Sequence, residues 1–380
     1  MKKKLLLLTD TIDPMVDGVS IFLRNIIPFL SERFEVTIIA PDLGTVAYPN
    51  VRLVQFPTIK LNVSNFSSYG IPKIKPSVIA REVKHCDVVL NQESLQPITS
   101  SFFAIRYAQK YHKPFFTYIH AIDWESMPEY VIPDFYGLSR GIKKMGSLFL
   151  RVYGRRFLKK SDMVIIPFRS IEPILRKNGI HAQFKVAPVG TSEEFHPGRS
   201  THEIPNRIVI GYVGRISTEK GLEVLRNVFQ KLEKKYSDKL RLLIVGDGPL
   251  RPIFHDVKNV TITGFVSYKE VAEYLRAIHI FVLPSTSETS SLSTLEAMRS
   301  GCACVTRDVG CIKDYLNNGK NGFFFTDEQN LFDSVERLTI DDAFRETIGK
   351  AAWESTMKYT WKNTVDCLED IINSYNADSF

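Results

Sequence analysis

The run Ile208-Val209-Ile210-Gly211-Tyr212-Val213-Gly214-Arg215-Ile216-Ser217-Thr218-Glu219-Lys220-Gly221 passes from an apolar, β-branched segment through a glycine-led polar loop into Gly221–Tyr236, where apolar residues recur at helical spacing. A buried strand, a turn and an amphipathic helix form the repeating unit of a parallel sheet covered by helices. The same unit recurs downstream. Leu240–Val245, Val260–Ile262, Ile278–Leu283 and Ala303–Thr306 read as further strands, with helices at Tyr268–Ala277 and Ser293–Ser300.

Upstream the alternation runs again. Lys4–Thr9, Phe34–Ala40, Asp87–Leu90, Pro114–Ile119 and Met163–Pro167 read as strands, and Val19–Phe29 and Thr99–Lys110 as helices. The polar stretch Glu194–Pro205, with Pro197, Gly198 and Pro205, reads as a linker between the two series. A chain of 380 residues suits two domains rather than one. The expected fold class is α/β, with two facing doubly wound domains, residues 1–198 and 199–361, and a cleft between them. A last helix, roughly Thr364–Tyr375 within 362–380, has no strand after it.

Apolar residues make up 44% and charged residues 24%, the balance of a globular protein with a core. The longest apolar runs, Leu5–Leu8 and His279–Pro284, have the length of strands, far short of the roughly 20 residues of a membrane span. Met1–Leu8 runs into Thr9-Asp10 without a small-residue cleavage site and reads as a first strand rather than a signal peptide, so the expected location is cytoplasmic. Five cysteines lack the spacing of a zinc site, and free thiols are expected. Charge is uneven: residues 1–200 hold 27 Lys and Arg against 17 Asp and Glu, whereas residues 201–380 hold 22 against 25. The first half should favour an anionic partner or surface. No nucleic-acid recognition motif accompanies that charge, and nucleic acid is not an expected partner.

Three loops carry chemistry. Arg215 and Lys220 lie in a loop that enters a helix, where two cations and the helix N-terminus suit a diphosphate; a charged surface loop has the same composition. Gly246-Asp247-Gly248 reads most simply as a strand-to-helix turn. In Pro284-Ser285-Thr286-Ser287-Glu288-Thr289-Ser290-Ser291-Leu292-Ser293-Thr294-Leu295-Glu296, a loop carboxylate precedes a helix that carries a second one. Carboxylates accept from vicinal hydroxyls, so sugar and ribose rings are natural ligands. Helix capping explains Ser293 and an acidic first turn, but leaves Glu288 and the run of hydroxyls without a reason. In the first half, Gly18 stands at a helix entry and His120 at the end of a strand.

Together these blocks, with Gly264-Phe265-Val266-Ser267, Ser300-Gly301 and Asn321-Gly322, resemble the retaining glycosyltransferases of the GT-B fold, the glycogen-synthase and sucrose-synthase-like group 1 transferases. The resemblance covers nearly all of the second half and is thinner in the first, where it rests on Gly18, His120 and Pro188 to Pro197. It implies that Arg215 and Lys220 bind the diphosphate of a nucleotide sugar, UDP- or GDP-linked, and that Glu296 binds its ribose. Glu288 and His120 would lie at the transferred sugar as the catalytic pair. Backbone at Ser290, Ser291, Leu292 and Ser293 would hold sugar hydroxyls and phosphate, backbone at Val266 would read the base, and Gly18 would approach the diphosphate. No cofactor and no metal are implied, and the final helix is expected to return to the first domain. Two departures stand out: Ser290-Ser291 replaces a pair that usually ends in glycine, and Val189-Gly190-Thr191-Ser192 replaces Asn-Gly-Val-Asp.

The pattern Asp10…Pro14…Asp17-Gly18-Val19-Ser20, with His120 and Trp124 to Tyr130, resembles the glycolipid-forming branch, so a membrane lipid is the expected acceptor. Residues 135–161 hold eight Lys and Arg and no acid, and Ile142, Met145, Leu148, Phe149 and Val152 fall on one helical face with Arg140, Lys143, Lys144, Arg151 and Arg155 gathered opposite. This suits docking of 140–160 on an anionic membrane; a core-facing helix with a solvated basic side fits the same pattern. The rival functions are a transferase acting on a soluble saccharide, a nucleotide-sugar epimerase or phosphorylase, and a binding protein without catalysis.

Overall fold

The computed structural model describes residues 1–15, 17–44, 47–60, 70–93, 99–122, 124 and 139–375. The chain divides into two compact units, Met1–Gly190 with Trp361–Phe380, and Thr191–Thr360. Each is built on a parallel sheet.

In the first unit the strands are β1 (Lys4–Leu8), β2 (Glu35–Pro41), β3 (Val51–Phe56), β4 (Thr58–Lys60), β5 (Gly70–Pro72), β6 (Val88–Asn91), β7 (Phe115–Tyr118), β8 (Met163–Ile166) and β9 (Phe184–Val186). Seven form one sheet in the order β3-β2-β1-β6-β7-β8-β9, while β4 and β5 make an antiparallel pair. Leu5 of β1 lies opposite Val36 of β2 and Val88 of β6, both in parallel register. Every residue of Leu5–Leu8 is buried, because the central strand has helices on both of its faces and must be apolar throughout.

The second unit holds β10 (Ile208–Val213), β11 (Leu240–Val245), β12 (Val260–Ile262), β13 (Ile280–Leu283), β14 (Ala303–Thr306) and β15 (Phe323–Phe324), in the order β12-β11-β10-β13-β14-β15. All of its pairings are parallel. Chain order reverses between β1 and β6 in one sheet and between β10 and β13 in the other, the places where such sheets open a crevice beyond their carboxyl ends.

The stretch Glu194–Pro205 is not a linker. Thr191 donates its N–H to the Tyr359 carbonyl at 3.0 Å, Phe195 is fully buried, and Ser200 Oγ donates to the Glu273 carbonyl at 2.6 Å. Its prolines and polar residues hide these anchors from a reading of composition. All five cysteines are free thiols, four of them buried.

The helix Ser139–Leu158 separates the two readings of its sequence. Its buried side is made by Gly154, Phe157 and Leu158, and Ser147 Oγ donates to the Trp124 carbonyl at 2.6 Å. The predicted apolar face instead points to solvent: Ile142, Met145, Leu148 and Phe149 are 47%, 72%, 52% and 59% exposed. Lys144, Arg155 and Arg156 are exposed as well, while Lys143 and Arg151 are part-buried, so apolar and basic groups share a surface rather than dividing between opposite faces. Apart from Trp124, the stretch Trp124–Tyr130 lies outside the described residues.

The last helix, Trp361–Ser374, lies against Gly18–Arg33 of the first unit. The Trp361 ring meets Phe22 edge-on at 5.6 Å, Thr364 Oγ1 donates to the Pro188 carbonyl at 2.7 Å, and Arg33 pairs with Asp366 and, at 3.0 Å, with Glu369. Trp361 is 4% exposed. Trp361→Ala is expected to cost about 3–5 kcal/mol, as buried aromatic truncations do. Denaturant unfolding followed by circular dichroism reads this as a lowered midpoint; an unchanged midpoint would mean that the helix adds nothing to the first unit.

Candidate functional site

In the second unit the candidate residues follow the two strands that flank the switch point. After β10 come Arg215 and a short 3-10 turn, Thr218–Lys220. Gly221 ends that turn at φ +60°, and a Cβ there would stand 2.6 Å from the Pro284 carbonyl oxygen, so only glycine lets the two loops close on each other. The loop after β13 is clipped to the same turn, as Thr286 N–H donates to the Glu219 carbonyl at 2.9 Å. This brings Lys220 Nζ to 2.6 Å from Glu288 Oε1. Both side chains are largely withdrawn from water, with 20% and 12% exposed. A part-buried ion pair of this kind holds each partner's direction more firmly than a surface pair would.

Beyond Glu288 the loop turns into the helix Leu292–Arg299. Tyr315 donates its hydroxyl to the Ser290 carbonyl at 2.8 Å, and Cys311 N–H donates to the Thr289 carbonyl at 2.9 Å. Ser291 sits in the left-handed region, φ +43° and ψ 72°, and its hydroxyl bonds Thr294 Oγ1 at 2.8 Å. Ser291 thus keeps a glycine-like backbone with a serine side chain on it. No side chain caps this helix, which leaves first-turn N–H groups facing outward from its start.

Glu296 lies on the same helix at 4% exposure. Its carboxyl accepts the Tyr268 hydroxyl at 2.7 Å. Burial raises its pKa to about 8, against the lowering effect of that hydrogen bond. Val266 lies in the loop after β12, next to Phe265, which is 76% exposed. Gly246-Asp247-Gly248 after β11 is a closed turn: Asp247 accepts from Gly248 N–H at 2.8 Å and pairs with Arg251 at 2.9 Å.

Gly18 and His120 belong to the first unit. Gly18 begins its helix behind a capping box of Asp17 and Ser20, and a Cβ there would meet nothing within 4 Å. Local packing therefore does not demand a glycine. His120 follows β7, enclosed by Phe22 and Tyr118 with ring centroids 4.7 Å away in each case. Burial drives its pKa down to about 3, so the ring is neutral at physiological pH. Its Nε2 faces Gln92 Oε1, so in the neutral ring Nε2 carries the proton and Nδ1 the lone pair.

Sequence reasoning missed three groups here. Gln92 orients His120 from the end of β6, Tyr268 bonds Glu296, and Glu93 is fully buried. Burial and the nearby Asp10 carboxylate raise Glu93 to about 7, and its carboxylate accepts from Ser100 Oγ and Ser101 N–H, so it caps the helix Ser101–Lys110. Gln92 and Glu93 stand just beyond the end of β6, whereas no local signal marks Tyr268 at the start of its helix.

Residues 207–341 match the family described as Glycosyl transferases group 1, and residues 16–195 match Glycosyltransferase Family 4. The chain belongs to the group 1 glycosyltransferases. Among its relatives are the sulfoquinovosyl transferase SQD2 of Arabidopsis thaliana, 33% identical over 45% of this chain and 36% of that protein, and an alpha-monoglucosyldiacylglycerol synthase of Acholeplasma laidlawii, 27% identical over 46% and 49%. The matches thus span half or less of these two relatives' lengths. In fold the transferase resembles a sucrose-phosphate synthase from Thermosynechococcus elongatus, with a TM-score of 0.77 at 18% identity over 98% of both chains. It also resembles Anabaena HepE in complex with UDP and glucose, with a TM-score of 0.73 at 15% identity over 98% of this chain and 100% of that one. The fold is that of the GT-B transferases.

The left-handed Ser291 yields a stability test. Ser291→Gly should stay within about 1 kcal/mol of the native protein, whereas Ser291→Val should lose roughly 2–3 kcal/mol, because a β-branched residue resists this backbone conformation. Thermal melting of the two variants decides; equal stability would mean that the position carries no strain.

Proposed function

We propose that this transferase moves a hexose from a UDP- or GDP-linked sugar to a hydroxyl of a membrane lipid, with retention of configuration and without a metal. The observation that carries the donor half is the Lys220–Glu288 pair held at the β10/β13 switch point, beside an uncapped helix start and the buried Glu296. Lys220, with Arg215, takes the donor diphosphate. Glu288 meets the transferred sugar, backbone at Ser290–Ser293 its hydroxyls and phosphate, and Glu296 the ribose. Val266 offers backbone to the base, while Gly18 and the neutral His120 serve the diphosphate and the sugar. Anabaena HepE, of the same fold, was solved with UDP and glucose, which supports a nucleotide-sugar donor.

In the reaction, the bond between the anomeric carbon and the diphosphate oxygen breaks as Lys220 and Arg215 neutralise the leaving group. The acceptor oxygen attacks the same face, and its proton passes to the departing phosphate oxygen. Lys220, Arg215 and the helix start would supply the charge stabilisation that a metal provides elsewhere, so EDTA should leave the rate unchanged. Lys220→Ala should lower turnover about 10²–10³-fold, the scale for losing one preorganised charge stabiliser. Nucleotide release from a panel of UDP- and GDP-sugars, with and without lipid vesicles, measures both. Native turnover in the Lys220→Ala variant would contradict the assignment.

The lipid half rests on the helix Ser139–Leu158, whose exposed Met145, Leu148 and Phe149 lie among exposed Lys144, Arg155 and Arg156. Solvated apolar groups flanked by cations suit the interface of an anionic bilayer. Among the described residues no helix is long and apolar enough to cross a membrane. The Acholeplasma laidlawii relative is named as an alpha-monoglucosyldiacylglycerol synthase, which supports the same reading. In sedimentation with phosphatidylglycerol vesicles at low salt, Met145→Glu with Phe149→Glu should weaken binding by roughly tenfold or more. If native protein stays in the supernatant, and a soluble saccharide stimulates nucleotide release, the acceptor is a sugar.

A further inference from the structure

Tyr268 is held at both ends. It opens the helix Tyr268–Ala277 behind a capping box in which Ser267 and Glu270 each accept the other's N–H. Its ring meets the buried Phe195 edge-on at 5.2 Å, and Ser192 bonds its phenol oxygen. The phenol proton therefore points to Glu296 Oε1, 2.7 Å away. Glu296 has no cation beside it; Tyr268 is the one described group bonding that carboxyl. Among titratable groups nearby, Glu194 bears on the Tyr268 hydroxyl rather than on Glu296.

A carboxyl this deeply buried without a cation tends to hold its proton, and a protonated carboxyl offers a ribose diol one fewer acceptor site. A fixed hydroxyl donor favours the ionised form and sets the plane of the group. Burial still leaves Glu296 at a pKa of about 8, so the contribution of Tyr268 falls where the balance is closest. A tyrosine does this without adding a positive charge that would compete for the diphosphate.

We infer that Tyr268 is a positioning residue for the donor: its hydroxyl holds the Glu296 carboxyl as a two-oxygen acceptor for the ribose diol of a nucleoside diphosphate. This rests on the donor reading above and deepens it. It sets the ligand class at that end of the site as ribonucleotides in preference to deoxyribonucleotides.

The test is calorimetric binding of UDP, GDP and their 2′-deoxy forms to native protein, Tyr268→Phe, Glu296→Gln and the double variant. Tyr268→Phe should bind the favoured ribonucleotide roughly tenfold more weakly, as expected for losing a hydrogen bond to a charged group. It should bind the deoxy form with less than about a twofold change, because the two losses share one interaction. The double variant should then be no worse than Glu296→Gln alone. A merely structural tyrosine would weaken both nucleotides equally and leave the ribo-to-deoxy preference intact, and that result overturns the inference while sparing the donor site. Failure of native protein to bind either diphosphate overturns the donor reading and this inference with it. If Tyr268→Phe melts early, Glu296→Gln carries the same comparison: a native ribo preference in that variant is equally fatal.

Discussion

Every strand of the two main sheets runs in the same direction, and most of the arrangement follows from that constraint. A parallel sheet delivers all its carboxyl ends to one edge, and each connection must cross back over the sheet, through a helix in most cases here. Groups far apart in the chain, such as Lys220 and Glu288, therefore arrive side by side when their strands are neighbours at the point where chain order reverses. The helices that follow those strands begin at the same edge, so their unsatisfied N–H groups collect there too. Catalytic potential at that edge is a by-product of topology before any side chain is chosen.

The side chains then divide the work between two carboxylates. Glu288 is on a loop and has a cation as its partner, while Glu296 is on a helix and has a neutral phenol. The first environment stabilises negative charge through Coulomb attraction, and an arriving phosphate competes for the same lysine. The second stabilises it only through one hydrogen bond, in a place where burial favours the proton. Two groups of the same chemistry thus sit in different surroundings, one beside a cation and the other beside a neutral hydroxyl donor.

The central strands and the loops after them were legible in the sequence because strands with helices on both faces must be continuous apolar runs, as Leu5–Leu8 and Ile280–Leu283 are. The edge strands of the first sheet were not. Val51–Phe56 and Phe184–Val186 are only partly buried and carry Arg52, Gln55 and Lys185, so no apolar run marks them. The acid and base residues after strand ends could be read from position, but their partners could not. Tyr268 and Glu296 are 28 positions apart, and Gln92 and His120 also 28, distances that no local pattern spans. For Ser139–Leu158, likewise, periodicity identified an apolar face and left open whether the protein covers it; Ile142, Met145, Leu148 and Phe149 are exposed.

The final helix has one more consequence, for the order in which the protein is made. Thr191–Thr360 is a single uninterrupted stretch, synthesised between the two segments that make up the first unit. The amino-terminal unit emerges first but lacks Trp361 against Phe22, and the anchor of Thr364 on Pro188, until the segment after Thr360 has been synthesised. Vectorial synthesis ordinarily lets the leading domain finish first. Here the leading domain must wait with an apolar surface uncovered while the trailing one completes, so the nascent first unit is where a chaperone has most to protect.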